Sequence, residues 1–536
     1  MILWLRLAFA TAVLLLPGVL VARALGRRSA SASLAWSVAV VAGALALTFA
    51  VRGSLWLTLG LVLVAGLVAL PFRRRSRDER LHGRAAVAAT GVVLGALLWG
   101  IEGVVHGDAI FHLGRMRKLD DFGALSLRTV DEFKDGGLHP GYAFPLWHAW
   151  LALLAKVAAV DPTQVVLHEP TLLTPLTLVL AYELGTVVFR SAWLGLATTV
   201  AQVALIAFAP GYGGSFVSLE LPGTVARQLL VPAALTLFFL FVRAPSWPLA
   251  LTLAAAGMDL GFVHPTYALF LALPLVGFGL ARLLLARADL RGSAGGLLAY
   301  GVPVLLVFAW LEPIVAQTRS HNPSAAVLAG QLRHYARDVV VSSPRSFHLA
   351  PAMASRGGAI AVAGLVLVPL AGLAARRRWS ALVLGGAVLV LAIELWSLVF
   401  PHFTDLVSLS QARRAVGFAP FIFALVGGAA VAARFAGWLV VPAGLAAGIA
   451  VQLAFPHGVG LAAWIALFGG LAALLLGAWR APRLERPGPA ASLAVVLLAL
   501  PVVVHGFAHW NAAVTKDPSA LTPGLVRYLR DDVPRG

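Results

Sequence analysis

Long apolar stretches alternate with short polar connections along the whole chain. The apolar stretches approach the roughly 20 residues that an α-helix needs to span a bilayer, whereas a barrel strand alternates apolar and polar residues. We count about 17 such segments as predicted helices, at 3–22, 33–51, 54–72, 85–105, 144–160, 165–189, 192–210, 223–242, 247–263, 265–286, 294–315, 358–375, 380–400, 415–433, 437–455, 459–479 and 490–510. The pattern therefore predicts an all-α, polytopic transmembrane protein.

Arginine clusters between these segments predict the orientation, because cytoplasmic loops carry an excess of Lys and Arg. The largest cluster is Arg73, Arg74, Arg75, Arg77, Arg80 and Arg84, and Arg376, Arg377 and Arg378 form another. If every segment crossed, the sides before and after 144–189 would disagree, so one segment there should not cross. The best candidate is 144–160, which is short, begins near Pro145 and carries His148 and Lys156. We therefore expect an interfacial or re-entrant helix at 144–160, about 16 crossings of the cell membrane, and both termini outside.

This topology divides the chain into four parts. Residues 1–84 are extra N-terminal transmembrane helices, and 85–420 form a transmembrane core with two large outer loops at 106–143 and 317–357. Residues 421–510 are C-terminal transmembrane helices, and 511–536 are an outer tail.

Composition agrees with a membrane protein, since 60% of residues are hydrophobic and 12% are charged. The net charge of +18 does not indicate nucleic-acid binding, because the arginines are spread over short interhelical loops. We expect membrane lipids, and no nucleic acid, as partners. The absence of cysteine excludes disulfides, thiol nucleophiles and cysteine-ligated metals.

Loop 106–143 is the densest polar run between apolar segments, and it opens with Asp108 and His112. On a helix beginning at Asp108 the two side chains share one face. Asp108 is placed to take a proton from an acceptor hydroxyl as a general base, or else to cap the helix. His112 is either catalytic with it or a supporting residue.

Other polar residues near the same loop are candidates for substrate binding. The pair Asp120 and Asp121 suits a divalent metal or sugar hydroxyls, or else a solvated helix end. His139 and Tyr142 flank a turn and suit the membrane interface or stacking on a sugar. Arg227 and His264 lie at the outer edges of later segments.

Arginines are unexpectedly frequent on the predicted outer side. Loop 317–357 carries Arg319, Arg333, Arg337, Arg345 and Arg356, and Arg413 and Arg414 follow in the turn 401–414. Because Arg fits phosphate oxygens well, we expect Arg333, Arg337, Arg413 and Arg414 to bind a lipid phosphate or pyrophosphate. Contact with anionic headgroups and an inverted topology are the alternatives.

Four acids fall in the predicted outer halves of membrane segments, namely Glu102, Asp259, Glu312 and Glu394. Such costly charges tend to mark a water-filled cavity, unless each pairs with a neighbouring Arg.

The chain resembles the GT-C type of membrane glycosyltransferase over residues 85–420. The resemblance rests on Gly107-Asp108 with Phe111-His112 at the start of the first outer loop, on the stretch from His139-Pro140-Gly141-Tyr142 to Trp147, and on the second outer loop 317–357. It implies a polyprenyl-phosphate sugar as donor, an envelope acceptor on the outer face and Asp108 as base. The implied reaction is inverting hexosyl or pentosyl transfer. A divalent metal is possible, and a transporter or flippase for an envelope lipid or polymer is the alternative.

Overall fold

The computed structural model describes residues 2–72, 74, 83–99, 105, 107–131, 137–209, 218–286, 289–317, 322–480 and 488–509, and the isolated positions 524, 527 and 531. Several predictions fall outside these residues. They concern Arg73, Arg75, Arg77, Arg80, Glu102, Arg319 and nearly all of the tail 511–536.

The first half of the described chain is helical, as its apolar segments predict. Its helices are α1 (Ile2–Ala24), α2 (Ala30–Ala50), α3 (Leu55–Ala69), α4 (Arg84–Trp99), α5 (Asp108–Asp121), α6 (Leu146–Ala158), α7 (Pro162–Phe189), α8 (Ala192–Val203), α9 (Pro222–Val225), α10 (Val231–Arg243), α11 (Trp247–Val263) and α12 (Pro265–Leu285). Two π-helical turns, Ala204–Phe208 and Ala226–Leu230, extend α8 and join α9 to α10.

The second half continues with helices, interrupted by one small hairpin. The helices are α13 (Leu290–Val315), α14 (Ala325–His334), α15 (Gly358–Val366), α16 (Arg378–Leu395), α17 (Phe400–Val407), α18 (Leu409–Ala415), α19 (Phe421–Ala436), α20 (Val440–Ala454), α21 (Gly460–Trp464), α22 (Gly470–Arg480) and α23 (Pro489–Ala508). Strands β1 (Val339–Ser343) and β2 (Ser346–Leu349) pair antiparallel within the second predicted loop.

Ten helical stretches in the described part of the chain are long and apolar enough to cross a membrane, and five shorter helices are apolar. The protein is therefore an all-α, multi-pass membrane protein, while the number of crossings stays a prediction. Some segments differ from the expected continuous helix, and the clearest is 358–375, which is α15 followed by a 3₁₀ turn, Val368–Ala374. Pro369 explains the break, because proline lacks the amide hydrogen and clashes with the preceding turn.

Segment 144–160 forms α6, whose residues Leu146 to Ala155 are all buried. The helix packs among α1, α2, α5 and α7. Its 13 residues extend about 20 Å, shorter than the roughly 30 Å hydrocarbon core of a bilayer. A helix lying on the membrane surface would expose one face, and α6 does not. The re-entrant form stays a prediction.

Close helix packing and buried charges hold this bundle together. Gly277 of α12 and Gly385 of α16 face each other so closely that a Cβ on either would overlap the other's carbonyl oxygen, a small-residue contact typical of membrane helices. Glu183 of α7 accepts hydrogen bonds from the backbone N–H groups of Ala30 (2.8 Å) and Ser31 (3.0 Å) at the start of α2. It also lies 3.3 Å from Arg84 of α4, so this acid ties three helices together.

Candidate functional site

A cavity of about 470 Å³ lies where the first predicted loop meets the ends of α12, α13 and α18. Five of the predicted site residues line it, namely Asp108, His139, Tyr142, His264 and Arg414. The remaining wall combines polar groups from Thr266, Ser408, Ser410 and Gln411 with apolar ones. Its volume is within the range of pockets that hold small molecules.

Asp108 is the first residue of α5, and its exposed carboxylate lines the cavity. Gly107 precedes it as the N-cap with a φ of 55°, a left-handed conformation that glycine adopts at little cost. The alternative that Asp108 itself is the N-cap is therefore wrong. Its carboxylate makes no hydrogen bond or ion pair with the described residues, so it is available to a ligand.

Tyr142 lies at the centre of a group of four histidines. Its ring centroid is 5.2 Å from that of His112, 5.0 Å from His139, 5.5 Å from His148 and 6.5 Å from His264. These rings come from α5, the turn after it, α6 and the α11–α12 connection. These four histidine rings therefore hold the phenol where the elements that form the cavity meet.

Burial and nearby charges raise the pKa of the Tyr142 phenol, so it is protonated at neutral pH. Burial, the nearby Asp108 carboxylate and the Tyr267 phenol raise its pKa to about 12, although Arg414 opposes them. Because the phenol senses both Asp108 and Arg414, the two charges act on the same small space. At neutral pH Tyr142 can donate a hydrogen bond to a ligand.

His112 lies behind Tyr142 and is not among the lining residues of the cavity. Its Nδ1 is 2.7 Å from Nε2 of His148, and burial, with smaller contributions from Arg115 and His139, lowers the pKa of His112 to about 3. His112 is therefore neutral at physiological pH. His112 therefore packs against Tyr142 from outside the cavity, and its direct role in the chemistry stays a prediction.

The sequence reasoning missed three residues that brace this wall. Arg115 is buried and donates from Nη2 to the Tyr142 carbonyl at 2.9 Å. Asp131 accepts from the His139 backbone N–H at 3.0 Å, and His148 is the partner of His112. Helical spacing could have found Arg115, because it lies three residues after His112 on the same helix face.

The opposite wall is a chain of hydrogen bonds across α12 and α18. The Thr266 hydroxyl is 3.1 Å from Nδ1 of His264 and 3.3 Å from Oε1 of Gln411. Burial and the Arg414 cation lower the pKa of His264 to about 3, against a smaller raising effect of a backbone hydrogen bond. Arg414 makes no hydrogen bond or ion pair with the described residues, so its guanidinium is the available cation of this wall.

The other predicted phosphate-binding arginines do not line the cavity. Arg413 pairs with Asp338 at 2.5 Å, and its guanidinium lies 4.2 Å from the Tyr335 ring centroid. Arg333 and Arg337 are exposed at the end of α14 and just after it. Arg227 donates to the Gly417 carbonyl at 3.0 Å and lines a separate pocket.

The paired aspartates also lie outside the cavity. Asp120 forms a 2.6 Å ion pair with Lys156 of α6, and Asp121 is exposed at the last residue of α5. Among the described residues, no group of three or more His, Asp or Glu could hold a metal ion. Because Lys156 engages Asp120, the two aspartates do not present a pair of available carboxylates.

The membrane acids do not mark this cavity. Asp259 and Glu394 are fully buried and no oxygen of either has a hydrogen-bond partner, while Glu312 is exposed on α13. None of the three lines the cavity. Arg356 interacts electrostatically with Glu394.

Comparison of the chain with known protein families, curated proteins and solved structures finds no match.

Proposed function

We propose that the protein is a GT-C-like glycosyltransferase with about 16 crossings of the cell membrane. It transfers a sugar from a polyprenyl-phosphate donor to an envelope acceptor on the outer face. The observation that carries the proposal is the pairing of an available carboxylate, Asp108, with an available guanidinium, Arg414, in one cavity. Sugar transfer from a phosphate needs a proton acceptor and a cation for the leaving group.

The two charges divide the reaction between them. Asp108 accepts the proton of the acceptor hydroxyl as that oxygen bonds to the anomeric carbon of the donor sugar. The bond between the anomeric carbon and the phosphate oxygen breaks, and the phosphate leaves with both bonding electrons. Arg414 stabilises the phosphate charge, and attack from the opposite face inverts the anomeric centre.

The surroundings of the cavity suit a lipid-linked donor. Phe308, Leu311 and Val315 of α13 line it, together with Leu406 of α17. Leu406 is also 55% exposed on the protein surface. On α13, exposed apolar side chains at Leu305 and Leu306 give the helix a lipid-compatible outer face. A donor held in the bilayer therefore has an apolar approach to the two charges.

The test is transfer from a panel of radiolabelled polyprenyl-phosphate sugars by the purified protein, with a membrane lipid extract as acceptor. Asp108→Asn removes the base and should lower the rate about 10²- to 10⁴-fold. Asp121→Asn is the matched control, because it removes an exposed carboxylate from the other end of α5. Equal rates for wild type and Asp108→Asn would remove the catalytic assignment.

One observation favours the alternative of a transporter or flippase. The fully buried Asp259 and Glu394, whose carboxylate oxygens have no hydrogen-bond partner, are typical of charges on ion or substrate pathways in membranes. Donor binding without transfer by the wild-type protein, together with movement of a labelled lipid across proteoliposomes, would favour this alternative over the transferase.

A further inference from the structure

A second pocket, separate from the Asp108 cavity, lies between α8, α10, α12, α16 and α19. Its volume is about 110 Å³, and its lining is mostly apolar, with Leu205, Val231, Leu235 and Phe421 among the residues. An apolar cavity of about 150 Å³ holds a benzene molecule. The space is therefore suited to a segment of an apolar chain.

Four polar side chains interrupt this apolar lining, those of Thr198, Arg227 and two buried amides. Thr198 and Arg227 donate to the backbone carbonyls of Leu194 and Gly417. Gln202 of α8 is 8% exposed and Gln228 is 3% exposed, and Nε2 of Gln202 donates to Oε1 of Gln228 at 3.2 Å. In the two side chains, Oε1 of Gln202 and Nε2 of Gln228 make no hydrogen bond with the described residues. Such groups carry a desolvation cost when no partner satisfies them, so the pair presents one acceptor and one donor to whatever fills the pocket.

The backbone is distorted on both sides of the same pocket. The π-helical turn Ala204–Phe208 supplies Leu205 and Ile206 to its lining, and the π-helical turn Ala226–Leu230 supplies Gln228. π-Helical turns are rare and frequently occur at functional sites. Two of them facing one pocket are an observation independent of the amides.

We propose that this pocket binds a membrane-resident molecule whose apolar chain carries a neutral hydrogen-bonding group such as a hydroxyl. The pocket lies among helices apolar enough to be in the bilayer, which makes lipid the source of the ligand. A hydroxyl can donate to the Gln202 oxygen and accept from the Gln228 nitrogen. A plain hydrocarbon chain would leave both groups unsatisfied, so the site selects against the unsubstituted tail of a lipid.

The proposal does not depend on the glycosyltransferase reaction. No lining residue is shared between the two cavities, and Asp108 and Arg414 belong to the first one alone. If no sugar transfer is observed, the proposal for this pocket still stands. If this pocket binds no lipid, the glycosyltransferase proposal still stands.

The experiment uses photolabelling of the full-length protein in detergent micelles with two probes. One is hexadecanol bearing a diazirine, and the other is hexadecane bearing the same group. We expect the alcohol to label residues of α8 and α10 about five- to tenfold more than the alkane, the size of effect given by one or two hydrogen bonds. Gln228→Leu should remove this preference.

Two further variants make the result specific. Gln452→Leu is the matched control, because Gln452 is a buried glutamine on α20 outside the pocket, and it should keep the preference. Ala419→Phe places a ring in the pocket and should block both probes. Equal labelling by alcohol and alkane, labelling confined to other helices, or an unchanged preference in Gln228→Leu would each overturn the proposal.

Discussion

The ionisation of His264 gives a prediction whose magnitude follows from the structure. Its imidazole is 7% exposed, stacks on Tyr267 at 3.8 Å between ring centroids and contacts the Thr266 hydroxyl. Burial, followed by the nearby Arg414 cation, lowers its pKa from 6.5 to about 3. The folded protein therefore holds a neutral imidazole that the unfolded chain protonates below pH 6.5.

This difference has a definite sign. Between pH 6.5 and about 3, the unfolded chain binds a proton that the folded protein does not, so the free energy of unfolding falls as pH falls. The slope reaches about 1.4 kcal/mol per pH unit below pH 6.5, so the loss from pH 7.5 to 4.5 is about 2.7 kcal/mol. His264→Gln keeps a polar side chain but removes the titration, and it should escape this loss.

We expect His264→Gln to be about 1–2 kcal/mol less stable than wild type at pH 7.5, because it loses the ring stack and weakens a hydrogen bond. At pH 4.5 the order should reverse. The measurement is the free energy of unfolding in micelles at both pH values, with His402→Gln at an exposed histidine as control. A stability difference between wild type and His264→Gln that is the same at pH 7.5 and 4.5 would refute the reasoning.

Two further predictions concern the fold that supports the cavity. Gly385→Ala should destabilise the protein by about 1–3 kcal/mol or more, because the new Cβ overlaps the Gly277 carbonyl oxygen and forces α12 and α16 apart. The melting temperature should fall accordingly. It should not fall in this way for Gly301→Ala, because Gly301 has open space around it. Glu183→Gln should cost about 1–2 kcal/mol, since the pair with the partly exposed Arg84 and one of the two acceptor oxygens at the start of α2 are lost. Glu312→Gln at an exposed site should change the melting temperature little.

The helical fold could be predicted from the sequence because the bilayer leaves few choices for a long apolar segment. The start of α5 at Asp108 could also be predicted, since a polar loop follows an apolar segment there. The break within 358–375 required more than hydropathy. Pro369 ends α15, yet proline is tolerated in other helices of this chain, such as α7 with Pro170 and Pro175, so its effect depends on tertiary packing.

The candidate site could be predicted only in part, because the sequence shows charges but not their partners. Arg413 and Arg414 are adjacent and chemically identical, but Asp338 engages the first while the second lines the cavity. In the same way, Lys156 engages Asp120 near the end of α5, whereas Asp108 at its start has no such partner among the described residues. The contribution of His148 was hidden because α6 reads as an apolar segment, and only its packing beside α5 brings this histidine to His112.

The distribution of partners therefore separates three kinds of charge in this bundle. A buried charge with a partner, such as Glu183, holds helices together, and an exposed charge such as Arg337 is satisfied by solvent at little cost. Asp108 and Arg414 differ from both kinds, because they line the same cavity and neither is engaged by a described residue. A ligand in this cavity would meet both charges at once, and this arrangement makes these two the residues on which the proposed reaction depends.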